Sequence, residues 1–419
     1  MNPPAACRGV AAIVAATAFA TSMFLTASRA QSQTVNATTT AFVEMAADGA
    51  HVRAIATTAC PDAVIDNASR PMIVRAGATP AYPDVVCDLP LSASVRSVTI
   101  GGISLPLPHR VRRVVVIGDT GCRLKGAEVQ ACNDPHAWPF PTIARAVADA
   151  HPDLIIHVGD YYYRETACPA AFAGCTGTPH GDVQASWNAD FFGPAAPIFT
   201  TAPLVLVRGN HEDCARGGVG WFRYLDTVLS TSCVPHTPPF AVALDGLHLV
   251  VFDDASADDA SPNAQDVATL GAQLAAAHDL ATGAPWLVMH RPPYGVTQRS
   301  DRDELVTLNA TMQAASNGTT FAPYSAILAG HIHLFETLDL EGRPPVIING
   351  MGGDRLDPLV TATVAGTAIG GIRVRNFTSQ TRFGYAVYDR TRTGWTIAVH
   401  APDGSVYETC ALAQTIACR

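Results

Sequence analysis

Between Arg113 and Gly330 the chain alternates short, unbroken apolar runs with polar ends that carry glycine. Val114–Ile117 and Leu154–Val158 are continuous hydrophobic stretches, the pattern of strands buried on both faces. Pro141–Ala150 lies between them and reads as a helix, so this segment predicts a βαβ unit. Leu204–Val207, Leu247–Phe252, Trp286–Met289 and Ala326–Leu328 repeat the strand pattern. Helix-like stretches fall at Asn263–His278 and Arg302–Gln313. Asp245-Gly246, between two apolar runs, predicts a hairpin. Phe383–Asp389, Thr396–His400 and Val406–Cys410 are again strand-like, with Asp403-Gly404 as a turn.

The chain before residue 110 is patterned differently. Residues 31–40 are polar, a flexible lead-in. From Ala41 onward, short apolar or alternating runs at Val52–Thr57, Met72–Arg75 and Val95–Ile100 are separated by Pro, Gly and Asn/Asp clusters. No helix pattern is present there, and Ile103–Pro108 reads as a linker. The expectation is a smaller β-rich N-terminal domain with its linker over 31–110, followed by a larger α/β domain over 111–419.

Composition narrows the setting. Hydrophobic residues at 48% and charged residues at 15% exclude global disorder. A formal charge of −9 leaves no chain-wide basic footprint, so duplex nucleic acid is not an expected partner. Arg8, the uncharged stretch Val10–Ala27 and Ser28-Arg29-Ala30 form the three-part pattern of a cleaved signal peptide over 1–30, against the alternative of an uncleaved anchor. Cleavage would remove two arginines and no acid, taking the charge to −11. It would also remove Cys7 and leave ten of the 11 cysteines, an even number that points to disulfides and a secreted or periplasmic location. No stable membrane span is expected after cleavage. Sequence neighbours suggest the pairs Cys60–Cys87, Cys122–Cys132, Cys168–Cys175, Cys214–Cys233 and Cys410–Cys418.

The chemistry sits where the apolar runs stop. Gly118-Asp119-Thr120-Gly121, Gly159-Asp160-Tyr161-Tyr162-Tyr163, Gly209-Asn210-His211-Glu212, His290-Arg291 and Gly330-His331-Ile332-His333 each follow a strand. In open α/β sheets, ligands collect beyond the carboxyl ends of strands. Taken singly, an aspartate there is usually a turn residue or cap. Five such ends supplying two Asp, one Asn and three His make chance a poor account.

These blocks, in this order, resemble those of the purple acid phosphatase branch of the calcineurin-like metallophosphoesterases, over Arg113 to about Gly353. Most metallophosphoesterases carry a histidine two residues after the first aspartate; here that position is Gly121, and Tyr163 matches the tyrosine that replaces it in the purple branch. The fold implied is a sandwich of two mixed β-sheets flanked by helices. The implied ligands of one ion are Asp119, Tyr163, His333 and Asp160. Those of the second are Asn210, His290, His331 and the same Asp160. Three anionic oxygens suit Fe(III) in the first place, and an amide with two imidazoles suits a divalent ion, Fe, Zn or Mn, in the second. The implied substrate is a small phosphate ester, attacked in line by metal-bound hydroxide.

Around the ligands, His211 matches a family histidine that protonates the leaving group or binds phosphate, or else only orients Asn210. Arg291 could grip a phosphate oxygen or form a structural salt bridge. Tyr294 and Glu212 are candidates for the rim, while Tyr161, Tyr162 and Asp253 read as loop packing and a turn. An exported acid phosphatase acting on phosphomonoesters is the leading reading. A phosphodiesterase or nucleotide hydrolase with the same metals, and a binding protein with a structural metal site, are the alternatives.

Overall fold

The computed structural model describes residues 38–228, 232–299, 304–316 and 321–419. The expected signal peptide and Cys7 lie outside them. Apolar runs become strands of two large sheets. The first has eleven strands, ordered 416–418, 406–412, 395–400, 385–390, 113–117, 154–157, 204–206, 38–46, 49–56, 85–90 and 73–76. The second has eight, ordered 240–244, 247–251, 286–288, 326–329, 346–349, 335–340, 372–380 and 368–369.

Alternation within the continuous runs explains the layering. Val114, Val116, Ile156 and Val205 face Leu249, Val251, Val288 and Leu328 in the core between the sheets. Val115, Ile117 and Ile155 face outward against Phe140, Ile143 and Val147 of the helix Phe140–Asp149. On the far side, Val250, Leu287 and Ile327 pack against Leu270 and Leu274 of the helix Ala264–Leu280. Each strand is buried on both faces, which is why its sequence shows no polar alternation. Asn263 caps the second helix, its Oδ1 accepting from Asp266 N at 2.8 Å.

The site depends on strand direction. Arg113–Ile117, Leu154–His157 and Leu204–Leu206 run parallel, as do Leu247–Val251, Trp286–Val288 and Ala326–Ala329. The strands of each set therefore present their carboxyl ends at one edge of their sheet.

Three expectations change. The boundary at residue 110 does not coincide with the end of a sheet. Thr38–Ala46 meets Leu204–Leu206 in parallel at Glu44↔Leu204, and 49–56, 85–90 and 73–76 extend the same sheet. Among the described residues before 110, the strands 62–65, 68–71, 98–100 and 103–104 form a separate small sheet. The expected linker begins with one of its strands: Ile103 pairs with Ile100. The helix expected over Arg302–Gln313 is instead, among the described residues, a strand Glu304–Leu308 paired with Gly295–Arg299, then a short helix Ala310–Ala315 capped by Asn309. β-Branched Val306 and Thr307 favour the extended form. All five suggested disulfides are formed. No helix among the described residues is long and apolar enough to cross a membrane.

Candidate metal centre

Asp119, Asp160 and His331 occupy left-handed backbone conformations, with φ of +54°, +58° and +72°. Such φ values are uncommon for residues with a Cβ and concentrate at functional sites. Here they turn the chain sharply at the strand end and aim each side chain into a shared cleft. Glycines beside them permit the close approach. A Cβ on Gly209 would collide with Asp160 Oδ1, and one on Gly330 would lie 2.5 Å from Asp119 Oδ2.

Two donor groups result, one of Asp119, Asp160 and His333, the other of Asp160, His290 and His331, with the donor atoms of each within 4.8 Å of one another. Asp160 belongs to both. The Tyr163 hydroxyl sits inside the first group, 2.8 Å from Asp160 Oδ2, 3.2 Å from Asp119 Oδ1 and 2.9 Å from His333 Nε2. Asn210 joins the second, its Oδ1 lying 3.0 Å from His290 Nε2. All seven residues read as ligands from the sequence are thus brought together. Gly121 makes room for the tyrosine: a Cβ there would lie 2.8 Å from Tyr163 Cδ2.

The surroundings set which nitrogen faces the centre. His290 Nδ1 bonds the Val158 carbonyl at 2.8 Å and His333 Nδ1 the Arg355 carbonyl at 2.9 Å, so each turns Nε2 inward. His331 is reversed. Its Nε2 lies 2.8 Å from Asp259 Oδ2, leaving Nδ1 as the available donor.

The protonation states fit a cation. Burial, then Asp160 and Asp119, push the Tyr163 phenol well above its ordinary range. Burial opposes charge on His290, but Asp160 outweighs it and holds the imidazole up at about 9. Burial is likewise overcome at His333, where Asp354 and Asp119 hold it at about 10. Burial and Arg291 bring His331 down to about 4. Without a metal, imidazolium protons neutralise the buried carboxylates. A bound cation would take their place and favour the phenolate.

His211 and Arg291 both line the cleft, whose volume is about 340 Å³. The His211 ring lies over Tyr163 at 3.8 Å between centroids, its amide donates to Asp160 Oδ1 at 2.8 Å, and its Nδ1 is 2.6 Å from Glu165 Oε1. Arg291 is tied to Asp259 at 2.7 Å while remaining at the cleft wall. Two rim candidates are elsewhere. Glu212 is buried, and its carboxylate accepts from the backbone N–H groups of Asp160, Tyr161, Tyr162 and Gly209, so it clamps two ligand loops together. Tyr294 is buried in the core beneath the second sheet, 6.3 Å from the Phe321 ring. Tyr161 stacks on His157 at 3.9 Å and Tyr162 on Trp187 at 5.8 Å, both in loop packing, and Asp253 accepts from Arg208 and Thr237.

Sequence reading missed Asp254, whose Oδ1 accepts from the backbone N–H groups of both His290 and Arg291 at 3.1 Å. Its place just beyond an apolar strand was the available signal. It also missed Asp259, Glu165 and Asp354, which lie in loops without a motif.

A family model described as calcineurin-like phosphoesterase matches residues 112–335, more than half of the chain. No curated protein matches at a significant level. A purple acid phosphatase from yellow lupin (Lupinus luteus) seeds is similar in structure, with TM-score 0.55 and 14% identity, over 89% of this chain and 74% of that one. The structure of PhoD is similar with TM-score 0.56 and 9% identity, over 91% of this chain and 92% of that one. At such identities the likeness speaks for the fold alone. The match over the strand-end motifs and the sandwich that carries them lead to one assignment: the chain belongs to the calcineurin-like phosphoesterases, metal-dependent hydrolases with a dinuclear metal site.

Proposed function

We propose that this chain is an exported acid phosphatase that hydrolyses phosphomonoesters at a centre of Fe(III) and a divalent Fe, Zn or Mn ion. The observation that carries the reading is the Tyr163 hydroxyl, which lies within 3.2 Å of Asp119, Asp160 and His333 at once. Asp119, Asp160, Tyr163 and His333 would hold the first ion, and Asp160, Asn210, His290 and His331 the second. Once bound, the ions supply Lewis acidity towards the phosphoryl oxygens and activate water as the nucleophile at acid pH.

The chain's own residues do the rest. His211, held by Glu165 over Tyr163, is placed to protonate the leaving oxygen or to bind phosphate. Arg291 keeps one arm of its fork on Asp259 and presents the guanidinium to the cleft for a phosphate oxygen. Glu212 and Asp254 hold the ligand loops in register through backbone N–H groups. Export is supported by the leader pattern and the five disulfides. The test compares turnover of p-nitrophenyl phosphate with that of its bis-ester by metal-loaded protein. Preference for the monoester at acid pH is expected; strong preference for the bis-ester would replace this reading with a phosphodiesterase.

A further inference from the structure

The cleft over the two donor groups is ringed by cations in a chain whose formal charge is −9. Three of them are already committed, one being Arg216, whose Nε lies 3.6 Å from Asp213 and 3.9 Å from Glu165. Arg291 is bonded to Asp259 at 2.7 Å. Arg123 is bonded to Asp354 and to Glu128, and lies over the Tyr163 ring at 4.9 Å. Lys125 and Arg355 differ, for neither forms an ion pair with a described residue. The nearby acids have closer partners: Glu128 bonds Arg123 at 2.7 Å, Glu165 lies 2.6 Å from His211, and Asp357 accepts from the His333 amide at 2.8 Å, while Glu128 acts on both cations, and Glu165 on Lys125, only from further off.

Both free cations rise from the segments that support the first donor group. Lys125 is half-buried in the hairpin of Leu124–Lys125 with Glu128–Val129, where Leu124 N bonds the Tyr163 carbonyl at 3.0 Å. Arg355 is exposed, and its carbonyl holds His333 Nδ1 at 2.9 Å. Lys125 is also the sole lysine among 27 basic residues. Cations with no acid at ion-pair distance at a concave mouth raise the local potential and select anions. A neutral leaving group would leave both unused. A second phosphate offers the oxygens that a guanidinium and an ammonium bind by charge-assisted hydrogen bonds.

We propose that Lys125 and Arg355 form a subsite for a second phosphate, so that the preferred substrates are phosphomonoesters whose alcohol carries another phosphate. This rests on the phosphomonoesterase reading above. The bond broken is the same: water adds to phosphorus, the ester P–O bond cleaves, and the phosphorylated alcohol leaves with a proton.

The experiment compares kcat/KM for butanediol bisphosphate with that for butanediol monophosphate, with p-nitrophenyl phosphate as reference, in wild type and in Lys125→Ala/Arg355→Ala. Wild type is expected to favour the bisphosphate about tenfold at low salt, mainly through KM. The double variant and high salt should each bring the ratio near one, and Lys125→Arg should retain it. No preference in wild type, or a ratio unchanged in the double variant, overturns the subsite. Failure to turn over p-nitrophenyl phosphate would count against the phosphatase reading instead. The subsite is then read by calorimetry, as tighter binding of pyrophosphate than of orthophosphate to metal-loaded wild type but not to the double variant; equal affinities in wild type would refute it.

Discussion

The strands Arg113–Ile117, Leu154–His157 and Leu204–Leu206 lead into Asp119, Asp160 and Asn210, whereas the neighbouring strands Thr38–Ala46 and Gly49–Ala56 of the same sheet lead into no donor group. The N-terminal strands carry buried charge all the same. Arg53 and Asp88 are each 1% exposed, and Glu44 is fully buried. Arg53 Nη1 donates to the Tyr224 carbonyl at 2.7 Å, and Arg75 Nη2 to those of Phe222 and Val228 at 2.8 and 2.7 Å. Arg223 returns the contact, bonding Asp84 at 2.9 Å and the Gly77 carbonyl at 2.7 Å. Arg53 and Arg75 satisfy carbonyls at the end of the helix Gly218–Tyr224, which follows the Asn210–Glu212 turn. In one region charged side chains converge as a donor set on a point that a cation can occupy. In the other they are consumed by backbone and by each other. Convergence of donors, not burial of charge, separates chemistry from scaffolding.

The largest effect that tests this contrast is at Asp160. Asp160→Asn removes an anionic donor shared by both groups, so turnover and affinity for both ions should fall more than about 100-fold, beyond the loss typical of a ligand's supporting partner. Metal analysis and kinetics check it. In the metal-free protein Asp160 is held ionised beside His290 at 3.2 Å, so the variant should also melt lower than wild type. A loss of folded stability with metal affinity unchanged would place Asp160 on the scaffolding side.

Arg53→Ala should do the reverse. Removing one partner of a buried ion pair costs about 3–5 kcal/mol, here by stranding Asp88 and Glu44. Denaturant unfolding should show that loss while metal stoichiometry of the folded protein stays normal. Loss of metal with unchanged stability would erase the distinction.

A smaller effect is expected from His51, whose pKa is raised by its hydrogen bond to Asp88 at 2.9 Å. A raised imidazole contributes fully below its ordinary 6.5 and loses that contribution as pH rises through the higher folded value. Burial opposes ionisation of Asp88, but His51 and Arg53 prevail and lower it. Its contribution therefore holds above the ordinary 3.8 and is lost as pH falls further. The pair stabilises most between those limits. His51→Gln should remove about 1 kcal/mol near pH 5.5 and less near pH 8. Unfolding curves at the two pH values measure it, and an equal loss at both would reject the pairing.

What could be read from the sequence follows the same division. The ligand blocks were legible because metal chemistry admits few residue types, and each block sits within a few residues of its own strand. The disulfides and the turn at Gly246 were legible because they close over short separations. Asp259 was not, since it meets His331 across 72 residues from a loop without a pattern. Nor was the joining of Glu44 to Leu204, which makes the N-terminal strands part of the main sheet. A strand's own residues advertise that it pairs, not with what. The expected helix over Arg302–Gln313 failed because local propensity could not register its hairpin partner, Gly295–Arg299.

The central claim is that Tyr163 completes an iron site together with Asp119, Asp160 and His333. Its most direct test is the absorption spectrum of protein of known metal content, in wild type and in Tyr163→Phe. The account predicts a purple phenolate-to-Fe(III) band in wild type that disappears in the variant while the fold is retained. A band that survives the substitution, or iron-containing wild type that is colourless in the oxidised state, would contradict it.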